Sequence, residues 1–199
     1  MNLEEKSLAV LEVFKELEAE AKQFTSESGL SCMTGCGACC ANPQIPASPL
    51  EFLPLAFDFY SKGIADSILS FLDSEEASEN CIVYRAHSVD GKLGYCSNYA
   101  FRGMICRLFG ASARKNKYGN KDIIICKILK EQKKEAFQAT TQRINQDLGI
   151  PNASKYYMYL DEIDESLTQQ MPINKAITFA LELVLRYKFY EKGEMMEET

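Results

Sequence analysis

Ser31-Cys32-Met33-Thr34-Gly35-Cys36-Gly37-Ala38-Cys39-Cys40 is the stretch around which the rest of the chain is organised, because it holds four of the eight cysteines. A density of thiols among glycines, without a hydrophobic run to bury them, is typical of metal or redox chemistry. Gly35 and Gly37 permit backbone angles that let a chain turn tightly around an ion and aim N–H groups at sulfur. The stretch therefore predicts a cofactor site in a loop.

The eight cysteines are all candidate metal ligands. Side chains of the neighbours Cys39 and Cys40 point to opposite sides of an extended segment, so one mononuclear ion does not easily take both. Two nearby sites, or one polynuclear cluster, fit this pair better. The candidate ligands are Cys32, Cys36, Cys39, Cys40, Cys81, Cys96, Cys106 and Cys126.

Length and charge limit the classes of protein to which the chain can belong. The 199 residues predict a single domain over 1–199, and the net charge of −6 argues against a nucleic-acid-binding surface. The N-terminus lacks the pattern of a signal peptide, and no run approaches the roughly 18 apolar residues of a membrane span. We therefore expect a cytoplasmic protein without a membrane partner. In a reducing compartment eight thiols indicate metal binding more than disulfides, which remain the alternative.

Helical patterns flank the cysteine region. Asn2 and Glu5 have the spacing of a capping box, and apolar residues at helical intervals predict a helix over 3–24. A second helix is expected after Ser48, kinked at Pro54. Further helices are predicted over 127–148, ending at a Gly-x-Pro stop signal, over 152–170, and over 173–190 as the central core helix with a frayed tail behind it. Segments 1–24 and 127–190 thus form the predicted helical scaffold.

Short β elements are predicted between the two helical segments. Residues 81–84 and 92–95 surround the turn dipeptide Asp90-Gly91 and should form a hairpin that brings Cys81 near Cys96. A second ribbon is expected from 118–120 and 123–126. The fold class is therefore mainly α: a single helical domain with small β-hairpins around a cysteine-rich metal centre. If all eight thiols serve one centre, Cys81, Cys96, Cys106 and Cys126 must lie against residues 36–40.

The order of the cysteines resembles the bacterial CxxCxxCC family, described as a zinc- or iron-chelating cysteine-cluster domain. The resemblance lies in Cys36-Gly37-Ala38-Cys39-Cys40, Cys81, Cys96-Ser97-Asn98-Tyr99, Arg102 ahead of Cys106-Arg107, and Cys126, and the motif region spans 32–126. Three residues separate Cys32 from Cys36 where the family usually has two, and Gly103 stands where it usually has proline. The resemblance implies metal or iron–sulfur binding in a mostly helical protein. It also implies a candidate activity, because the family includes flagellin lysine N-methylases.

The residue types limit which metals the chain could bind. Thiolate ligands favour zinc or an iron–sulfur cluster over magnesium, calcium or manganese, and a single histidine, His87, excludes most imidazole sites. Arg102 and Arg107, on either side of Cys106, are assigned to the cofactor site because their charges could offset clustered thiolates. His87 is also the one candidate base for a cysteine nucleophile, and no catalytic residue is assigned.

The leading interpretation is a cytoplasmic protein that chelates zinc or an iron–sulfur cluster. One alternative is a cluster- or metal-dependent protein-lysine N-methyltransferase. Another is a docking module for a protein partner, with a purely structural metal. Among the thiols we expect Cys32, at the irregular spacing, to contribute least to metal binding.

Overall fold

The computed structural model describes residues 1–42, 44–74, 80–91 and 93–197. Helices dominate, and the strands form only small two-stranded antiparallel sheets, which confirms the predicted fold class. In the described residues the helices are α1 (Leu3–Ser28), α2 (Leu53–Ser61), α3 (Ala65–Leu72), α4 (Met104–Leu108), α5 (Lys127–Gln132), α6 (Lys134–Arg143), α7 (Ala153–Asp164) and α8 (Ile173–Glu197). The strands are β1 (Pro46–Ala47), β2 (Tyr84–Ala86), β3 (Gly94–Cys96), β4 (Ala113–Lys115), β5 (Lys121–Ile123) and β6 (Met171–Pro172). Short 3-10 helices cover Leu50–Phe52, Tyr99–Phe101 and Glu165–Leu167.

Helix α1 begins with the predicted capping box. The Asn2 side chain accepts from the Glu5 N–H and the Glu5 carboxylate accepts from the Asn2 N–H, so two orphan donors of the first turn are satisfied. The helix extends one turn beyond the predicted end and stops at Gly29, which has a φ of 69°. Its buried face packs against α2 and α7 and carries Val10, Phe14, Leu17 and Phe24.

Helix α8 is the predicted core helix, packed against α2 and α3. Its buried side chains include Ala176, Ile177, Ala180, Leu181 and Val184. Spacings of three and four residues place them on one stripe, as burial of a single helix face requires. The helix continues to Glu197, so the predicted frayed tail is helical over most of its length.

Three predicted helices differ from the structure. After Ser48 the chain forms a 3-10 helix, and α2 starts at Leu53 with Pro54 in its first turn, where a missing N–H costs nothing. Pro54 therefore starts a helix and does not kink one. The predicted helix over 127–148 is broken at Lys133 into α5 and α6, because α6 turns to pack against a small separate core of Phe24, Leu30, Ile144 and Leu148. The predicted helix over 152–170 is α7 followed by a 3-10 turn, with Asn152 as its N-cap.

The hairpins lie close to their predicted places. Strands β2 and β3 pair with Tyr84 opposite Cys96, whereas Cys81 precedes β2 in a turn, and Lys92 lies outside the described residues. Strands β4 and β5 pair around 116–120, so the predicted strand at 118–120 is the turn itself. A third pair, β1 with β6, joins the chain after the cysteine stretch to the start of α8 and had no sequence signal.

Candidate metal centre

The backbone fastens the cysteine stretch to the β2–β3 hairpin. Cys36 forms an isolated antiparallel bridge with Leu93, and the Gly94 N–H donates to the Gly35 carbonyl at 2.9 Å. The Cys81 N–H donates to the Cys40 carbonyl at 3.0 Å. The hairpin therefore folds back on residues 35–40, as the sequence required for a shared centre.

Gly37 lets the cysteine stretch approach the ring of Tyr84. A Cβ at Gly37 would overlap the Tyr84 phenol, and one at Gly94 would meet the same ring at 2.6 Å. The Tyr84 hydroxyl donates to the Gly91 carbonyl at 2.7 Å, which fixes the ring against the hairpin turn. The phenol is thus clamped between the loop and the hairpin, and both glycines are needed for the space.

Helix α4 carries Cys106 and Arg107, and its N-terminus is held by a fully buried carboxylate. Glu51 Oε2 accepts from the Ile105 N–H at 3.2 Å, while Oε1 accepts from the Ser48 N–H at 2.6 Å and from the Ser48 hydroxyl at 3.0 Å. Burial raises the pKa of Glu51, and the backbone N–H donors oppose that rise. Ser48 and Glu51 have the spacing of a local capping pair, and nothing in the sequence indicates this contact with α4.

Cys126 is the N-cap residue of α5. Its sulfur accepts from the Leu129 N–H at 3.4 Å, within the range for sulfur acceptors. At the far end of α5, the Lys133 ammonium donates to the Gly29 carbonyl at 2.7 Å and to the Ser31 hydroxyl at 3.1 Å. These bonds join the segment that carries Cys126 to the start of the cysteine stretch.

The eight thiols fall into two groups according to which of them interact electrostatically. The first, called the outer group, consists of Cys32, Cys36, Cys39 and Cys126. The charges of Cys36 and Cys126 help to raise the pKa of Cys32, and Cys36 also hydrogen-bonds to the Cys32 side chain. The same three thiols, with Cys40, add to the effect of burial that raises the pKa of Cys39 to about 12.

The second, called the inner group, consists of Cys40, Cys81, Cys96 and Cys106. Burial raises the pKa of Cys81 to about 12, with Cys40 and Cys96 as the neighbouring thiols. Burial also raises the pKa of Cys106 well above its usual value, and the thiols of Cys81, Cys40 and Cys96 add to the rise. The pKa of Cys40, raised to about 11 by burial, also depends on Cys96, Cys32 and Cys36, so Cys40 lies where the two groups meet.

Backbone N–H groups point at several of these sulfurs. Val83 donates to Cys81 and Asn98 donates to Cys96, in each case from two residues further along the chain. A hydrogen bond to sulfur favours the thiolate and lowers the pKa of the cysteine. These donors favour the charged form of Cys81 and Cys96, which is the form that binds a metal.

Arg102 and Arg107 lie beside the inner group. Their charges oppose the burial that raises the pKa of Cys96, and their assignment to the cofactor site stays a prediction. Both guanidinium groups also reach Glu18 of α1: Arg102 Nη2 lies 2.9 Å and Arg107 Nε 3.2 Å from the same oxygen. The Arg107 Nε contact lacks hydrogen-bond geometry, and burial lowers the pKa of Arg107 to about 10. The pair therefore connects the thiols to the helical scaffold.

The chemistry of the donors fits a thiolate-bound metal. All eight cysteines are free thiols, so no disulfide competes for them. Within the described ranges no three Cys, His, Asp or Glu side chains are grouped so that they could hold an ion as they stand. The thiols must therefore move toward one another to complete a four-thiolate site. His87 lies at the edge of the cysteine stretch, with its ring 3.7 Å from where a Gly35 Cβ would be.

An open cavity of about 400 Å³ lies beside α4. Ile105, which precedes Cys106, lines it together with Tyr157 and Asp161 of α7 and Arg114 of β4. Burial raises the pKa of Tyr157, and the charge of Arg114 opposes the rise.

No helix in the described part of the chain is long and apolar enough to cross a bilayer.

Comparison with known proteins identifies one family. A family model described as "CxxCxxCC: putative zinc- or iron-chelating domain" matches residues 31–142. The match covers more than half of the chain and includes every cysteine. It also extends through α6, beyond the motif region 32–126 expected from the cysteine order. Neither the curated proteins nor the solved structures include a match to the chain.

Proposed function

Because the chain belongs to the CxxCxxCC family of metal-chelating cysteine domains, we propose that it binds metal through two groups of four thiolates. What supports this proposal is the backbone pairing that holds the cysteine stretch against the hairpin and Cys81, together with the electrostatic interactions that divide the eight thiols into the outer group and the inner group. Four thiolates complete a closed tetrahedral zinc site, with Zn–S bonds of about 2.3 Å, and four also hold one iron–sulfur cluster. The two groups therefore have the ligand count for two metal centres that meet at Cys39-Cys40.

The protein contributes more than the thiols. N–H donors to sulfur and the arginine pair offset part of the negative charge that four thiolates bring to one ion. The metal supplies the positive charge that lets buried thiols lose their protons. A reducing compartment such as the cytoplasm, which we retain as the expected location, keeps all eight thiols available.

The division into two groups is tested by metal content. Anaerobic purification followed by elemental analysis and an absorption spectrum should give two zinc ions, or iron with acid-labile sulfide, for each chain. Cys106→Ser should remove the inner metal alone and Cys126→Ser the outer metal alone. If either substitution empties the whole protein, the eight thiols form one polynuclear centre. Absence of metal from the parent protein after reconstitution would contradict metal binding altogether.

A second candidate function is the lysine methyltransferase implied by the family resemblance. The observation that favours it is the cavity beside Ile105 and Tyr157, which has room for a small organic molecule and is lined by the residue that precedes Cys106. Calorimetric titration of the metal-loaded protein with S-adenosylmethionine tests it. Binding that Tyr157→Phe or Arg114→Ala weakens would favour the enzyme, whereas no binding would favour a chelating protein or a docking module with a structural metal.

A further inference from the structure

Glu51 is the most deeply buried acid in the described part of the chain, with no exposed surface at all. An isolated buried carboxylate is costly, and it is retained only where strong donors surround it. Its donors come from two places that are far apart in sequence, the turn at Ser48 and the first turn of α4 at Ile105. The carboxylate therefore bridges the segment after the cysteine stretch to the helix that carries Cys106.

Helix α4 cannot cap itself. Its N-cap residue is Gly103, which has no side chain to accept the first N–H groups, and no local side-chain cap is present. A Cβ at this position would lie 2.8 Å from Glu51 Oε2 and 2.7 Å from the ring of Phe52. Glycine thus removes the local cap and at the same time makes room for the distant one.

The five-residue helix α4 depends on such a fixed start. It places Cys106 in the inner group, and it places Arg107 where the guanidinium donates to the carbonyls of Arg102 and Ala100. A helix of this length has too few internal hydrogen bonds to hold its own direction. Its orientation therefore depends on contacts at its ends, and Glu51 supplies the contact at the N-terminal end.

We propose that Glu51 is a positioning residue for metal binding, which caps α4 from a distance and thereby sets the place of Cys106 in the inner group. This inference rests on the proposed function. Glu51 is not a ligand in this proposal, because both of its oxygens are already used by Ser48 and Ile105. Contacts that orient a ligand are worth about 10- to 100-fold in metal affinity.

Glu51→Gln tests the bridge with little change of shape. A carboxamide has one acceptor oxygen, so its NH₂ must face either the Ser48 N–H or the Ile105 N–H, and one side of the bridge fails. The probe is Co²⁺ added to the reduced full-length chain, followed by its thiolate charge-transfer absorption. We expect the parent to bind two Co²⁺ and Glu51→Gln to bind one of them at least about tenfold more weakly.

Leu148→Ala is the control for a general loss of stability, because Leu148 is buried in the separate small core. Its melting temperature should fall without weakening the inner Co²⁺. If Glu51→Gln binds both ions as the parent does, or if the control loses the inner ion equally, the proposal is wrong. If Glu51→Gln does not fold, Gly103→Ala takes its place, because the added methyl group displaces Glu51 Oε2 and leaves the carboxylate itself in the protein. The same Co²⁺ titration of Gly103→Ala then tests whether the inner ion binds more weakly. If the parent protein itself shows no thiolate-bound Co²⁺, that result contradicts the proposed metal binding and not the role of Glu51.

Discussion

The Cys81 N–H donates to the carbonyl of Cys40 at 3.0 Å, which joins the end of the cysteine stretch to the residue that precedes the first hairpin. Closing a loop of this length costs entropy that grows only slowly with the number of residues. One backbone hydrogen bond contributes little against that cost. If the chain binds metal through these thiols, as proposed, the metal–sulfur bonds add to the local stability, and the predictions below follow from this.

Removal of the metal should destabilise the protein. Saturation with a free metal concentration of roughly 1,000 times the Kd stabilises a fold by about 4 kcal/mol, so chelation under reducing conditions should lower the melting temperature by several degrees. Residues 31–42 should become sensitive to protease, because most of them are exposed or half-buried, whereas Ile45 and Ala47 are held in the core. Calorimetry and limited proteolysis measure the two effects. An unchanged melting curve after verified metal removal would contradict the prediction.

Cys32 should matter as much as its neighbours in the outer group. The irregular spacing predicted the smallest effect for Cys32→Ser, but the thiol interacts with Cys36 and Cys126. We therefore expect Cys32→Ser and Cys36→Ser to reduce the outer metal content to a similar extent, because each removes one of the four thiolates of the proposed outer site. Elemental analysis after dialysis against a weak chelator compares them. If Cys32→Ser alone keeps all of its outer metal, the prediction from the irregular spacing, that Cys32 contributes least to metal binding, holds instead.

Gly37→Ala should displace the cysteine stretch from Tyr84. The added methyl group overlaps the phenol, whose hydroxyl is held by Gly91, so the loop must shift and both thiol groups lose their alignment. Overpacking of this kind costs about 1–3 kcal/mol. Gly149→Ala is the matched control, because a Cβ there meets nothing within 4 Å. Melting curves and metal content should change only for Gly37→Ala, and equal behaviour of the two variants would argue against the close packing.

Lys133→Met should weaken the outer group selectively. The substitution removes the bonds to Gly29 and Ser31 that hold Cys126 beside the cysteine stretch. We expect outer metal to dissociate about tenfold faster. This is the low end of the roughly 10- to 100-fold loss of metal affinity that follows when a contact supporting a ligand is removed. Lys134→Met changes the same charge at the next position and serves as the control. Stopped-flow transfer of metal to a chromophoric chelator measures both rates, and identical rates would rule out a role for Lys133.

Metal affinity should rise steeply with pH. Burial, with neighbouring thiols, raises the pKa of Cys39 to about 12 and that of Cys40 to about 11, so both carry protons at neutral pH. Binding a metal releases these protons, and a lower pH opposes release and weakens binding. Each released proton should change the affinity by about tenfold per pH unit between pH 6 and 8. Competition titrations at three pH values test the slope, and a flat profile would mean that the thiols are already ionised.

Acid should destabilise the contact between α1 and α7. Burial alone would raise the pKa of Asp164, but hydrogen bonds from Lys6 and Ser166 and the Lys6 charge outweigh it and lower the pKa. A lowered pKa contributes stability above the ordinary value of about 4, and that contribution is lost as the pH falls below it. The melting temperature of Asp164→Asn should therefore differ from that of the parent at pH 7 and approach it at pH 3. A constant difference across this range would exclude the ion pair as the cause.

Local sequence signals predicted the elements that depend on neighbouring residues. The capping box at Asn2 and Glu5 and the apolar stripe of α8 fix a helix from within its own sequence, and both are present. The break at Lys133 and the strand pair β1–β6 were missed, because each forms through partners far away in the chain.

The sequence by itself determined the candidate ligands and the class of metal, because the side-chain chemistry of eight cysteines with one histidine is independent of how the chain folds. It also determined a mainly helical scaffold, since the helical repeat of apolar residues depends only on residues close to one another in the sequence. Only the tertiary structure decided which thiols influence one another electrostatically and that Glu51 caps the helix of Cys106. The reason is physical: burial, charge interaction and long-range hydrogen bonds depend on distances in space, and residues 40 or more positions apart acquire those distances only when the scaffold packs.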